Sequence, residues 1–120
     1  MSSYINNFKA TDFNKRRTEA SRVASLHPDR CSIIVGKVDD ANVPEIDKHK
    51  FLVPKDLTVG QFSHVIRRRI DVRPETALFL FCGKILPSAS ATIGETHDKY
   101  KDTDEFLYIS YASENTFGST

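Results

Sequence analysis

The sequence predicts an α+β domain, a four-stranded mixed sheet carrying helices, with two additional helices at its N-terminus. Three observations predict it. Helical spacing of apolar residues precedes the first strand-like run. Two capping boxes, Thr58-x-x-Gln61 and Thr92-x-x-Glu95, open two more helices. Runs rich in β-branched and aromatic residues fall between and after them. At 120 residues the chain suits one domain with a real core and is too short for two.

Residues 3–10 are short and mixed, fitting either a small helix packed on the body or a mobile arm. Thr11-Asp12 offers a helix start. Phe13, Arg17, Ala20, Val23, Ala24 and His27 follow at three- and four-residue spacing, ending before Pro28. Residues 31–37 alternate and are β-branched, a strand. Residues 39–50 are polar, contain Pro44 and read as a connection. Residues 51–53 form a short strand stopped by Pro54, which suggests a sheet edge. Behind Thr58, the side chains of Val59, Phe62, Val65, Ile66 and Ile70 make one apolar helix face. Arg67, Arg68 and Arg69 lie at its C-terminal end, where the helix dipole favours cations. A third strand covers residues 77–82 with a turn at Gly83, a short helix runs from Thr92 to about Lys101, and the last strand spans residues 105–112. Strand pair, helix, strand, helix, strand is the ββαββ order of the ubiquitin-like β-grasp. The expected divisions are a helical extension at 1–26, a β-grasp core at 27–112 and a tail at 113–120.

A net charge of +1 gives no global argument for nucleic acid, because acidic residues balance the clusters Lys15-Arg16-Arg17 and Arg67-Arg68-Arg69. The apolar run at 77–82 is far short of a membrane span. No apolar signal region leads the chain, Ser2 stands where myristoylation requires Gly, and no C-terminal Cys box is present. Stable membrane residence would have to be added to this chain. Cys31 and Cys82 sit in strand-like runs and read as reduced, buried thiols. The four His and two Cys show no metal-ligand spacing, and no cofactor motif is recognisable.

Enzyme chemistry is hard to build from these residues. There is no Gly-x-Ser-x-Gly elbow, phosphate loop or dinucleotide fingerprint, and the five Gly are scattered. His27 and Cys31 are four apart, but a Cys on an inward strand face reads as core. Asp102-Thr103-Asp104 lacks the Gly and distal Glu of a calcium loop.

Two features are better suited to binding. Alternation in the edge strand puts Phe51 and Val53 on one face and Lys50 and Leu52 on the other. An edge with apolar side chains on both faces invites an incoming strand, unless core covers both. The chain ends on a polar stretch, Ser113-Glu114-Asn115-Thr116, then Phe117-Gly118 and two more residues. A near-terminal Gly can enter a narrow active site at almost any backbone angle, which suits a C-terminus that is itself a substrate.

The segment Asp47-Lys48-His49-Lys50-Phe51-Leu52-Val53-Pro54-Lys55-Asp56-Leu57-Thr58-Val59-Gly60-Gln61-Phe62 resembles the signature of the autophagy ubiquitin-like modifiers. That family includes the GABA-receptor-associated protein and the microtubule-associated light chain. Val65-Ile66-Arg67-Arg68-Arg69-Ile70, His27-Pro28-Asp29-Arg30, Phe106-Leu107-Tyr108 and Glu114-Asn115-Thr116-Phe117-Gly118 are similar too, so the resemblance runs from about Phe13 to Gly118. It implies a β-grasp with two added N-terminal helices and no catalysis of its own. It also implies a life cycle. A cysteine protease cuts between Gly118 and Ser119. Activating and conjugating enzymes, which own the thioester cysteines, then join Gly118 to phosphatidylethanolamine. The protein would be cytoplasmic, moving to the autophagosome membrane when lipidated, with no nucleic-acid partner.

The resemblance further implies two pockets for cargo receptors bearing aromatic-x-x-aliphatic motifs. The aromatic pocket would comprise Glu19, Val23, Ser32, Ile34, Lys50, Leu52 and Phe106. The aliphatic pocket would comprise Phe51, Val53, Pro54, Leu57, Phe62 and Val65, with Arg30 nearby. Val23 and Phe62 would then be only partly buried. Lys50, Arg30 and Arg69 would meet acidic residues flanking the motif. The family usually has Pro where this chain has Ser32, and Gly36 and the Cys82-Gly83 turn also depart from its common choices.

Overall fold

The computed structural model describes residues 1–114. Eight elements follow one another: α1 (Ser3–Lys9), α2 (Phe13–Leu26), β1 (Arg30–Lys37), β2 (Lys50–Pro54), α3 (Val59–Ile70), β3 (Leu78–Phe81), α4 (Ile93–Tyr100) and β4 (Leu107–Ser113). The sheet order is β2-β1-β4-β3. The central pair β1 and β4 is parallel, and both outer pairings are antiparallel. β2 is thus an edge strand, as its Pro54 terminator predicts. Strand ends differ from expectation by one or two residues. Cys82 leaves β3 to form an isolated bridge with Ile85 around Gly83, whose φ is +63°.

Alternation divides β1 between two apolar clusters. Cys31, Ile33 and Val35 face α3 and join Val59, Phe62, Ile66 and Ile70 in the main core. Those α3 positions recur at three- and four-residue intervals, which puts them on one face. Both capping boxes form: the Thr58 hydroxyl accepts from Gln61 N–H at 3.1 Å and the Thr92 hydroxyl from Glu95 N–H at 3.1 Å. The two capped starts are tied together, since Val59 N–H donates to the Ala91 carbonyl and Ile93 N–H to Leu57.

The opposite sheet face carries α1 and α2, where Ile5, Ala20, Ile34, Phe106 and Tyr108 form a second cluster. Residues 3–10 are therefore a packed helix over most of their length. Gly36 explains the docking. A Cβ there would lie 2.3 Å from the Ser2 Oγ that caps α1. Ser3 N–H donates to Asp39 at 2.7 Å, and Asp39 N–H donates to the Met1 carbonyl at 2.9 Å. The departure at Gly36 thus makes room for Ser2 and Ile5 to lie directly against β1.

The connection at 39–50 is not merely polar. Ala41 and Ile46 are buried, and the Tyr111 hydroxyl donates to the Pro44 carbonyl at 2.8 Å. Cys31 and Cys82 are buried free thiols, and burial pushes Cys82 up to about 11. Among the described residues no helix is long and apolar enough to cross a membrane.

Candidate peptide-binding groove

The groove candidate is built on β2. Val35 N–H donates to the His49 carbonyl at 2.8 Å and Lys55 N–H to the Asp29 carbonyl at 3.0 Å. These bonds fix the phase of the antiparallel ladder. Phe51 and Val53 turn their backbone groups toward β1, whereas Lys50 and Leu52 turn theirs outward along the free edge. Pro54 has no N–H to offer and closes the row. The outward backbone of Lys50 and Leu52 is what an added strand would pair with.

Side chains on the α2 side of β2 correspond to the aromatic set. Ile34 and Phe106 are buried beside Ala20, while Val23, Ser32 and Leu52 are half-buried. Lys50 Nζ lies 3.1 Å from the Glu19 carboxylate, an exposed ion pair bridging α2 to β2. Such a pair contributes little to stability and is readily exchanged for other partners.

The aliphatic set lies on the other face of β2. Pro54, Leu57 and Val65 are half-buried. Phe51 and Val53 are buried, and Phe62 is only 1 % exposed, so the expectation of a partly buried Phe62 is wrong. Its ring meets Phe51 edge-on at 5.4 Å and 85°, a core contact. Phe62 supports this face from below, and Pro54, Leu57 and Val65 supply its accessible surface. Val23 is half-buried, as expected.

Cations surround the edge. Lys48 and Arg69 approach the Phe51 ring at 5.0 and 5.7 Å, and Arg69 pairs with Asp47 at 3.1 Å. Arg30 donates to the Leu52 carbonyl at 3.4 Å. The two basic triplets are not uniform charged patches. Arg67 is bonded to the carbonyls of Arg73 and Thr76 and holds the α3–β3 connection, Arg16 is paired inside the fold, and Arg17 donates to the Thr103 carbonyl at 3.2 Å.

Sequence reasoning missed Asp104. It was legible only as a failed calcium loop, yet it is buried and holds Arg16, the Tyr108 hydroxyl and the Phe106 N–H together. Burial, then the bond to Asp104, raises the Tyr108 phenol well above its ordinary range. Nothing local signals this cluster, because its parts lie 88 positions apart. Among the described residues no group of His, Cys, Asp and Glu could hold a metal. Gly118 and Ser119 lie outside the described residues.

With the fold and groove described, comparison with known proteins places the chain. A family model described as "Autophagy protein Atg8 ubiquitin like" matches residues 15–118. Autophagy-related protein 8 of Mycosarcoma maydis is 50% identical over 106 residues, covering 88% of this chain and 90% of that protein. Autophagy-related protein 8 of Schizosaccharomyces pombe is 50% identical over 107 residues, covering 89% and 88%. Autophagy-related protein 8e of Arabidopsis thaliana is 49% identical over 109 residues, covering 91% and 89%. The crystal structure of Trypanosoma brucei ATG8 superposes with a TM-score of 0.85 at 41% identity, covering 95% of this chain and 96% of that one. The four-stranded mixed sheet with its four helices is therefore a ubiquitin-like β-grasp, and the chain belongs to the Atg8 family of ubiquitin-like autophagy proteins.

Proposed function

We propose that this chain is a ubiquitin-like modifier joined through Gly118 to phosphatidylethanolamine, and that it serves autophagosome formation as an adaptor for cargo receptors. The observation that carries this reading is that the family match extends as far as residue 118, the Gly itself. In this scheme a cysteine protease hydrolyses the Gly118–Ser119 bond. An activating enzyme adenylates the freed carboxylate and takes it as a thioester. A conjugating enzyme then passes it to the lipid amine, which displaces the thiolate to form an amide. The chain supplies the substrate carbonyl and the docking surface, and the reacting thiols belong to its partners. Two acyl chains on one phospholipid would anchor it durably, where a single chain binds only marginally.

The adaptor role rests on the free edge of β2. A receptor segment of the form aromatic-x-x-aliphatic would pair with the outward backbone of Lys50 and Leu52. Its aromatic residue would sit toward Glu19, Val23, Ser32, Ile34, Leu52 and Phe106, and its aliphatic residue toward Pro54, Leu57 and Val65 over Phe51, Val53 and Phe62. Acidic flanks would meet Lys50, Arg30 and Arg69. The rival is a β-grasp adaptor with the same groove that is never conjugated.

Gly118→Ala separates the two. It adds one methyl group at the constriction where the tail is cut and activated. Expected is loss or strong slowing of processing and lipidation with groove binding unchanged. A truncation ending at Gly118 should bypass the protease and still require the activating and conjugating enzymes. The readout is intact mass of the membrane-extracted protein. A lipid adduct formed equally well by Gly118→Ala would remove Gly118 as the point of attachment, and membrane-bound protein without a lipid adduct and retaining Ser119 and Thr120 would leave the unconjugated adaptor as the answer.

A further inference from the structure

A cavity of about 380 Å³ opens between α2 and α4 beside the first residues of β1. Small side chains make the room: Ala20, Ser21 and Ala24 on α2, and Ser32 on β1. Four cations line it, Arg17 from α2, Arg30 from β1, Lys55 from the turn after β2, and Lys101 after α4; the facing carboxylates are Asp98 and Glu105. His97 on α4 also lines it and bonds the Glu105 carbonyl through Nε2 at 2.8 Å. Glu105 is already engaged by Lys101 at 2.7 Å, and this bond holds its carboxyl below the ordinary range. Arg30 and Lys55 make no ion pair with either carboxylate; Arg30 and Arg17 each spend one N–H on a carbonyl, that of Leu52 and of Thr103, and keep the other guanidinium donors. The cavity thus has positive charge in excess.

A backbone donor points the same way. The ladder phase turns Asp29, Cys31, Ile33 and Val35 toward β2 and Ser32 away from it. The parallel pairing with β4 starts only at Ile33 opposite Leu107. The Val38 N–H bond to the Tyr111 carbonyl sets the phase of that pairing, so the carbonyl opposite Ser32 N–H is that of Glu105, which accepts from His97 Nε2 and takes no backbone bond from Ser32. The Ser32 N–H is therefore directed to the side where β4 has not begun, and Ser32 and Glu105 both line the cavity there. A proline here would lose no ladder bond to β2, but it would remove that donor.

We propose that this cavity binds a phosphate group, through Lys55, Arg30, Arg17 and the Ser32 N–H. Two excess cations and a backbone N–H suit a dianion with several acceptor oxygens. The source is either inorganic phosphate or a phosphoserine or phosphothreonine carried by a peptide. Ser32 pairs with Leu52 of the candidate groove, so the cavity adjoins it; the site itself does not rest on the groove reading.

The test is a titration of the full chain with inorganic phosphate at fixed ionic strength, followed by amide NMR, with chloride as the control. Phosphate should shift the Ser32, Cys31 and Lys55 amides saturably, and chloride should not. Lys55→Ser should weaken phosphate roughly fivefold to tenfold, as expected for losing one charge-assisted hydrogen bond. Ser32→Pro should weaken it too, with melting temperature unchanged in both variants. No shift at these amides, equal shifts with chloride, or undiminished binding by Lys55→Ser would overturn the site. A peptide tested with and without phosphoserine then assigns the source. A phosphorylation gain that Lys55→Ser abolishes, with the unmodified peptide bound as before, identifies the peptide-borne group. Phosphate binding without that gain identifies the free ion. Failure of the unmodified peptide to bind would count against the groove and leave the phosphate result standing.

Discussion

Arg16 Nε lies 2.9 Å from Asp104 Oδ2, joining α2 to the turn before β4 with the carboxylate 1 % exposed. Asp104 also accepts from Tyr108 and Phe106, and Arg16 reaches back to the Thr11 carbonyl. One buried carboxylate therefore holds α2 on the sheet. Removing either partner leaves an uncompensated buried group. Arg16→Met should destabilise the fold by about 3–5 kcal/mol in denaturant unfolding. A loss no larger than that of an exposed change such as Lys15→Met would show that the pair does not anchor α2.

Gly36→Ala tests the seat of α1. The added Cβ would meet Ser2 Oγ at 2.3 Å and Ile5 Cγ1 at 3.1 Å. Ser2 has no room to yield, because it is buried and caps the helix. Expected is a cost of about 1–3 kcal/mol, the usual range for overpacking. The loss should be local: faster hydrogen exchange at Asn6, whose N–H bonds the Ser2 carbonyl, and unchanged protection at Ile66. Ser2→Gly in the same chain should return part of the protection, since it removes the clashing atom and keeps a tolerable cap.

Acid sensitivity should have a component from the second capping box. Hydrogen bonds from Thr92, its N–H first, hold the Glu95 carboxyl below its ordinary range. A carboxyl depressed in the folded state stabilises the fold above its unfolded pKa. That contribution fades as pH falls through the folded value. Unfolding measured from about pH 5 to pH 2 should fall less steeply in Glu95→Gln, whose amide oxygen can keep the cap without titrating. Identical slopes would mean that the box does not sense protonation.

The elements visible in the sequence are those whose physics is local. Capping boxes at Thr58 and Thr92, the three-and-four spacing of α3 and the Pro54 strand end all appear in place. The fate of residues 3–10 was not local, because the missing Cβ of Gly36 and the side chain of Asp39 decide it. Asp104 and the cavity beside Ser32 were hidden for the same reason. Each assembles residues from separate helices and strands. Phe62 was misread because apolar periodicity cannot distinguish a groove wall from the layer beneath it.

That layering decides how the groove should be probed. Phe51 is buried and stacked edge-on against Phe62, so Phe51→Ala would cost roughly 3–5 kcal/mol of stability, as for other buried Phe truncations. Reduced peptide binding by that variant would say nothing specific. Leu52 is the better probe, being half-buried on the α2 side, with its backbone on the open edge. A peptide of the aromatic-x-x-aliphatic form should bind with an affinity on the order of micromolar, about −8 kcal/mol. Leu52→Ala should weaken it by roughly 1–3 kcal/mol if the residue is a contact centre. Lys50→Ala should instead weaken peptides with acidic flanks more than neutral ones, after releasing Glu19 from its 3.1 Å pair. Calorimetric titration of both variants, beside their melting temperatures, separates binding from folding. Wild-type affinity in a folded Leu52→Ala variant would move the peptide away from β2 altogether.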